Sequence, residues 1–237
     1  MRSFLSLPAR LLDAVYAPGC AACDAAVASG QPLCPECAGS LEPLGAACPR
    51  CALPSSEPVP CDRCVRRPPP FDAMAAPFVY VDAMGAALRR LKFGGRRDVA
   101  RTLAPLLAGP LARAAAGCDL LVPVPLHRRR LAARGFNQAA LLLRHARAAG
   151  GPPADVLSLR RVRATAPQTG LDARGRRRNV EAAFVVAAGR RARVAGRRVL
   201  LFDDIVTTGA TMAEAAAALR AAGAVAVVGL CAARAPS

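Results

Sequence analysis

The sequence predicts an α/β fold, a parallel sheet flanked by helices and preceded by a small cysteine-rich module. Three observations predict it. Eight of the ten cysteines lie in four C-x-x-C pairs before residue 65. From about residue 71, short Val- and Leu-rich runs alternate with Ala-rich helical stretches. One of those runs ends on two adjacent Asp and then a turn rich in Thr and Gly. Apolar strands separated by helices imply a parallel sheet covered on both faces, whose ligands sit beyond the carboxyl ends of the strands. A chain of 237 residues can fill one such domain and carry a small appendage.

Residues 1–17 form an amphipathic lead-in in which Leu5, Leu11, Leu12 and Val15 can share a helical face. Residues 18–65 are loop-rich and hold Cys20-x-x-Cys23, Cys34-x-x-Cys37, Cys48-x-x-Cys51 and Cys61-x-x-Cys64, separated by ten, ten and nine residues. Each pair can present two thiolates to one tetrahedral Zn²⁺, so four pairs make two structural Cys₄ sites. So short a segment with few aromatics cannot build its own core, and metal binding would supply the folding free energy. Disulfides would need an oxidising compartment, and a redox dithiol would occur once, on a helix, not four times in Pro-rich loops. Sequential pairing is expected, the first two knuckles together and the last two together, although the near-equal spacing permits crossed pairing. Cys118 and Cys231 read as core thiols in apolar strands.

Arg66-Arg67-Pro68-Pro69-Pro70 is a stiff connector to the domain at 71–237. There the expected order is a strand at Phe78–Asp82, helices near 83–92 and 97–115, a strand at Asp119–Pro123, a loop, and a helix near 136–149. A basic hood segment at 160–182 follows. Strands at Ala183–Val186 and Arg198–Asp203, a helix from Thr211 to Ala222 and a strand at Val225–Ala232 complete the chain.

The formal charge is +17, and Lys92 is the only lysine. Such a balance favours an anionic partner, phosphate or nucleic acid. No run reaches the roughly 18 apolar residues of a membrane span, since Glu214 and Arg220 break the most apolar segment. Pro8, Arg10 and Asp13 interrupt any signal-like stretch. The expectation is a soluble, cytoplasmic protein with no membrane insertion.

The run from Val199 to Thr211 is the most specific feature. An apolar strand ends on Asp203 and Asp204, and Thr207, Thr208, Gly209, Ala210 and Thr211 then lead into a helix. Backbone N–H groups, hydroxyls and the helix dipole converge there on a phosphate, and Gly209 permits close approach or positive φ. A ribose phosphate reconciles the carboxylates with that anion, because its hydroxyls face the two Asp while its 5′-phosphate sits in the turn. An ordinary N-cap would not require two Asp, three Thr and a Gly in this order. The string resembles the 5-phosphoribosyl-1-pyrophosphate (PRPP) motif of type I phosphoribosyltransferases. A second stretch, Val122 to Gln138, follows another apolar strand. Its Pro123 and Pro125 stiffen the exit around Val124, and Arg128, Arg129, Arg130 and Arg134 either supply charge for the pyrophosphate or form a solvated basic turn.

The whole chain, about residues 8–235, resembles the ComF family, which includes the ComFC and GntX proteins. The resemblance rests on the four knuckles, Leu91-Lys92-Phe93, the stretch 122–138 with its Arg-Gly-Phe-Asn-Gln string, the PRPP loop, and Thr165, Gln168, Leu171, Arg176, Asn179 and Phe184. Gly175 stands where the family often has an acidic residue, and Arg177 and Arg178 make the hood more basic. The resemblance implies a type I phosphoribosyltransferase-like sheet behind a double zinc ribbon. It also implies PRPP bound with Mg²⁺, and displacement of pyrophosphate from the ribose C1 by an unidentified acceptor, with Asp203 and Asp204 holding the ribose. Lys92 and Arg96 either reach the pyrophosphate or are a solvated helix end. The family equally implies a non-catalytic reading, a PRPP-sensing protein associated with single-stranded DNA in DNA uptake and natural transformation. Arg174, Arg176, Arg177 and Arg178 would then contact the nucleic acid. No base-recognition element is legible.

Overall fold

The computed structural model describes residues 19–164 and 182–236. Its main sheet contains β1 (Ala73–Ala75), β2 (Phe78–Val79), β3 (Leu120–Pro123), β6 (Arg198–Val206) and β7 (Ala226–Arg234). The order is β1-β7-β6-β3, with β2 also beside β7 and every pair parallel. Because Ala73 pairs with Val228 and Phe78 with Ala233, β1 and β2 act as one interrupted edge strand. The sheet is therefore parallel and flanked by helices, as the sequence predicts.

Alternation along β6 divides the core. Leu200 and Phe202 pack with Leu88, Leu91, Leu103 and Leu142 on one face. These come from α3 (Asp82–Phe93), α4 (Asp98–Ala115) and α6 (Gln138–Ala146). Val199 and Leu201 meet Met212, Ala215, Ala216 and Leu219 on the other face, all from α8 (Ala210–Ala221). β6 is buried along almost its whole length, which is why it reads as a continuous apolar run.

Several elements differ from the sequence reading. β6 continues past Asp203 to Val206, so the two Asp lie inside the strand, and the first helix begins at Asp82 instead of the strand ending there. The segment expected to be a loop contains α5 (Arg128–Arg134). Its N-cap is His127, whose Nδ1 accepts from the Arg129 N–H at 3.3 Å, and its C-cap is Gly135 at φ 78°. Histidine is outside the usual capping set, so this start left no recognisable signal. Loss of hydration and the charges of Arg128 and Arg129 lower the His127 pKa, keeping neutral the ring that accepts. β5 (Phe184–Val186) belongs not to the parallel series but to a separate antiparallel pair with β4 (Leu159–Arg161). Cys118 lies in the turn before β3 and is half-buried, whereas Cys231 on β7 is a core thiol.

The cysteine-rich module carries two short helices, α1 (Pro35–Gly39) and α2 (Asp62–Arg66), each beginning directly after a cysteine. The module is hydrogen-bonded to the sheet edge. Leu44 N–H donates to the Pro77 carbonyl, Val79 N–H to Glu42 and Met74 N–H to Pro49, at 2.9, 2.9 and 3.0 Å. Those contacts cover an edge that would otherwise present unpaired backbone groups. α7 (Arg191–Val194) is a single turn before β6. Among the described residues no helix is long and apolar enough to cross a membrane.

Candidate functional site

The eight knuckle cysteines form two groups, Cys20, Cys23, Cys34 and Cys37, and Cys48, Cys51, Cys61 and Cys64. Within each, the four sulfurs lie within 4.8 Å of one another. The Cys23–Cys34 and Cys51–Cys61 sulfurs are 3.7 Å apart. A tetrahedron with Zn–S bonds of about 2.3 Å has edges of about 3.75 Å, so both groups fit Zn²⁺. Pairing is sequential, which the near-equal spacing could not decide. Four thiolates complete the coordination, leaving no open position for catalysis. The backbone favours ionisation of the first thiol in each group. Burial opposes it at Cys20, but N–H groups of Cys34, Ala22 and Cys23 outweigh burial and bring the pKa down to about 6. At Cys48 the N–H of Cys61, 3.3 Å from the sulfur, helps bring it to about 7.

Asp24, directly after Cys23, ties the first group to the domain. Its carboxylate pairs with Arg90 and, at 2.8 Å, with Arg96. Arg96 also holds Asp98 at 2.8 Å. Arg96 is thus a structural link and lines no part of the cleft described next.

Beyond the end of β6 lies an open cleft of about 850 Å³. Asp203, Asp204, Thr207 and Thr211 line it, together with Lys92 and Phe93 of α3. Asp204 is buried; its Oδ1 accepts from Gln138 Nε2 at 3.4 Å and its Oδ2 lies 3.7 Å from Lys92 Nζ. That Oδ2 has no hydrogen-bond partner. Asp203 Oδ1 accepts from the Asp204 N–H at 2.9 Å. Burial, and then the adjacent Asp204 charge, hold the Asp203 carboxyl well above the usual carboxylate range, with Lys92 acting in the opposite sense. Two buried carboxyls side by side are costly in the free protein, and perturbed groups in a cleft are characteristic of functional sites.

The turn after β6 forms a smaller concavity adjoining Asp203 and lined by Thr207, Thr208, Gly209, Ala210 and Thr211. Gly209 is the N-cap of α8 at φ 79°, and the Thr208 hydroxyl accepts from the Ala210 N–H at 3.4 Å. A Cβ at Gly209 would meet nothing within 4 Å, so the obstacle to a side chain is the left-handed backbone alone. Gly209→Val is expected to cost about 1–2 kcal/mol, a fall of roughly 2–8 °C in melting temperature by calorimetry.

Of the second predicted stretch, Pro123 ends β3 opposite Phe202, and the Val124 N–H donates to the Phe202 carbonyl at 2.8 Å. Val124 and Pro125 line the cleft. Arg128 is exposed at the start of α5 and does not line it, whereas Arg130 and Arg134 of the same helix do. Arg174, Arg176, Arg177 and Arg178 lie outside the described residues. Tyr80, Arg89 and Arg161 also line the cleft and were not singled out from sequence.

The double zinc ribbon domain family matches residues 11–65. The DNA utilization protein YhgH of Salmonella typhimurium is 39% identical over 175 residues, covering 71% of this chain and 75% of that protein. Competence protein F of Haemophilus influenzae is 34% identical over 165 residues, covering 68% of this chain and 72% of that protein. The chain belongs to the ComF family. Among solved structures, a phosphoribosyltransferase from Corynebacterium diphtheriae aligns with a TM-score of 0.32 and 20% identity, over 62% of this chain and 71% of that one.

In this ComF protein the string Arg134-Gly135-Phe136-Asn137-Gln138 is a compact corner between α5 and α6. Gly135 takes the left-handed cap, and its carbonyl accepts from Arg97 at 3.1 Å. Phe136 is buried, with the Arg97 guanidinium 5.1 Å from its ring centre. Asn137 caps α6 through Oδ1 and donates Nδ2 to the Val124 carbonyl at 2.9 Å, fixing the β3 exit. With the corner held, Arg134 donates to Gln138 Oε1 at 2.6 Å, and Gln138 reaches Asp204. The string positions Gln138 on Asp204 with Arg134 behind it, a role its residue types alone did not disclose.

Proposed function

We propose that this ComF protein binds PRPP with Mg²⁺ in the cleft at the end of β6 and transfers its phosphoribosyl group to a nitrogen nucleophile. The observation that carries this reading is that Asp203 and Asp204, the Gly209 turn, Lys92 and Arg134 come together around adjoining concavities. In this reading the 5′-phosphate lies in the 207–211 turn and the ribose hydroxyls replace Gln138 and Lys92 as partners of the carboxylates. The bond from C1 to the pyrophosphate oxygen breaks, with its electrons leaving on pyrophosphate. A nitrogen lone pair bonds to C1, and the nitrogen then loses its proton to solvent. Lys92, Arg130 and Arg134 stabilise the charge on the leaving group. Mg²⁺, held largely by substrate oxygens and water beside the carboxylate pair, supplies further charge neutralisation when bound.

Calorimetry is the direct test. PRPP is expected to bind one to one with Mg²⁺ and at least tenfold more weakly without it; absence of binding with both at millimolar concentration rejects the proposal. Release of pyrophosphate in the presence of candidate bases then separates turnover from sensing.

A second reading, association with single-stranded DNA, is favoured by the charge of +17 and by exposed arginines on α5 (Arg128, Arg129) and around β4 (Arg160, Arg163). Relatives are named for DNA utilization and for competence. Single strands are expected to bind in a mobility-shift assay with steep salt dependence. Changing Arg174, Arg176, Arg177 and Arg178 to Ala should lower the log–log salt slope by about 3, at roughly 0.7 per lost phosphate contact. No shift even at low salt would exclude this reading.

A further inference from the structure

Phe93 is the last residue of α3 and 73% exposed, although it is apolar and lines the cleft. Single exposed apolar residues are ordinary, but this ring is set in a defined polar frame. The Arg134 guanidinium stands over it, 5.8 Å from the ring centre. Arg134 donates to Gln138 at 2.6 Å, and Gln138 to Asp204 at 3.4 Å. The neighbouring residue, Lys92, lies 3.7 Å from the same carboxylate. Ring and carboxylate are thus joined both through the chain and through a relay of three contacts. A ligand whose ribose meets Asp204 occupies the same cleft that Phe93 lines. A second ring of the cleft, Tyr80, is likewise paired with a cation, Arg89 at 5.9 Å.

We propose that Phe93, backed by Arg134, is the platform on which the planar heteroaromatic base of a nucleoside 5′-phosphate stacks. The proposal rests on the ribose-phosphate reading above and adds the chemical class of the acceptor, a ring nitrogen of an aromatic base. An aromatic face stacks with any base, and a guanidinium plane can stack with one as well. The low aromatic content, 4% of the chain, makes two rings lining one cleft a distinctive arrangement.

The test compares adenosine 5′-monophosphate with ribose 5-phosphate by calorimetry on the full chain, so that the ratio of their dissociation constants isolates the base. The wild type is expected to bind the nucleotide about tenfold more tightly than the sugar phosphate, the increment of one stacked base. Phe93→Ala should bring that ratio to about one, and Phe93→Trp should restore it. A ratio that survives Phe93→Ala overturns this inference while leaving PRPP binding intact. Absence of PRPP and ribose 5-phosphate binding in the wild type overturns the ribose-phosphate reading and this inference with it. If Phe93→Ala weakens an oligonucleotide but leaves the mononucleotide ratio unchanged, the ring serves a nucleic-acid strand and the inference is overturned.

Discussion

Replacing Asp203 by Asn is expected to weaken PRPP binding strongly while raising the melting temperature of the free protein. Both effects follow from the same burial. The carboxyl is enclosed beside Asp204, and its pKa is raised by lost hydration and by that neighbour's charge. Neutralising it removes the cost of a buried ionised pair, and the Asn Oδ1 keeps the hydrogen bond that Asp203 accepts from the Asp204 N–H. About 1 kcal/mol of relief corresponds to roughly 2–4 °C in a domain of this size. The sign with pH is definite. A carboxyl whose folded pKa is raised stabilises fully only below its ordinary value near 4, and that contribution is lost as pH rises through the raised value. The gap between variant and wild type should therefore widen upward from about pH 4 in thermal melts. Binding moves the other way. Hydrogen bonds from ribose hydroxyls to a charged carboxylate are worth about 1.5–3 kcal/mol each, so PRPP affinity should fall on the order of 100-fold. A variant that melts no higher and binds PRPP as before would remove both the strain and the function assigned to this pair.

Removing zinc is expected to collapse the amino-terminal module and to damage the cleft at a distance. Five of the eight cysteines are buried; Cys48, Cys51 and Cys64 form a small cluster with, among the described residues, only Leu53 and Cys61 packed against it, whereas Cys20 and Cys34 join the main core. Structural zinc contributes roughly 10–16 kcal/mol in such modules, so the apo segment has little else to fold around. The damage spreads through named contacts. Asp24 holds Arg90 and Arg96, and the helix bearing Arg90 ends in Lys92 and Phe93. Pro49, between Cys48 and Cys51, accepts from the Met74 N–H on the edge strand. A strong chelator should release two zinc ions per chain, open residues 19–65 to trypsin and weaken PRPP binding at least about tenfold, with recovery on adding zinc back. Cys20→Ser and Cys48→Ser should each lower the zinc content from two to one. Unchanged protease resistance in metal-free protein would show that the module folds without zinc.

What the chain determines locally was legible before any fold was known. Each C-x-x-C knuckle is a matter of four consecutive residues, and the Asp203–Thr211 run is a strand, a turn and a helix start in direct succession. The strand and helix alternation is likewise local periodicity, and it correctly implied the parallel sheet. Tertiary structure decided what depends on residues remote in sequence. It chose sequential over crossed pairing of the knuckles, because only the folded loops bring the sulfurs within 4.8 Å of one another. It placed Gln138 against Asp204, 66 residues away, and Lys92 against the same carboxylate. It turned an apparent basic loop into α5, whose histidine cap no propensity announced, and set the short β4–β5 pair apart from the main sheet. It also put the exposed ring of Phe93 at the cleft, a placement that sequence alone did not disclose. The physical reason is common to all of these. Backbone hydrogen bonding and hydrophobic period are properties of neighbouring residues, whereas a binding cleft is enclosed by walls that only long-range packing brings together.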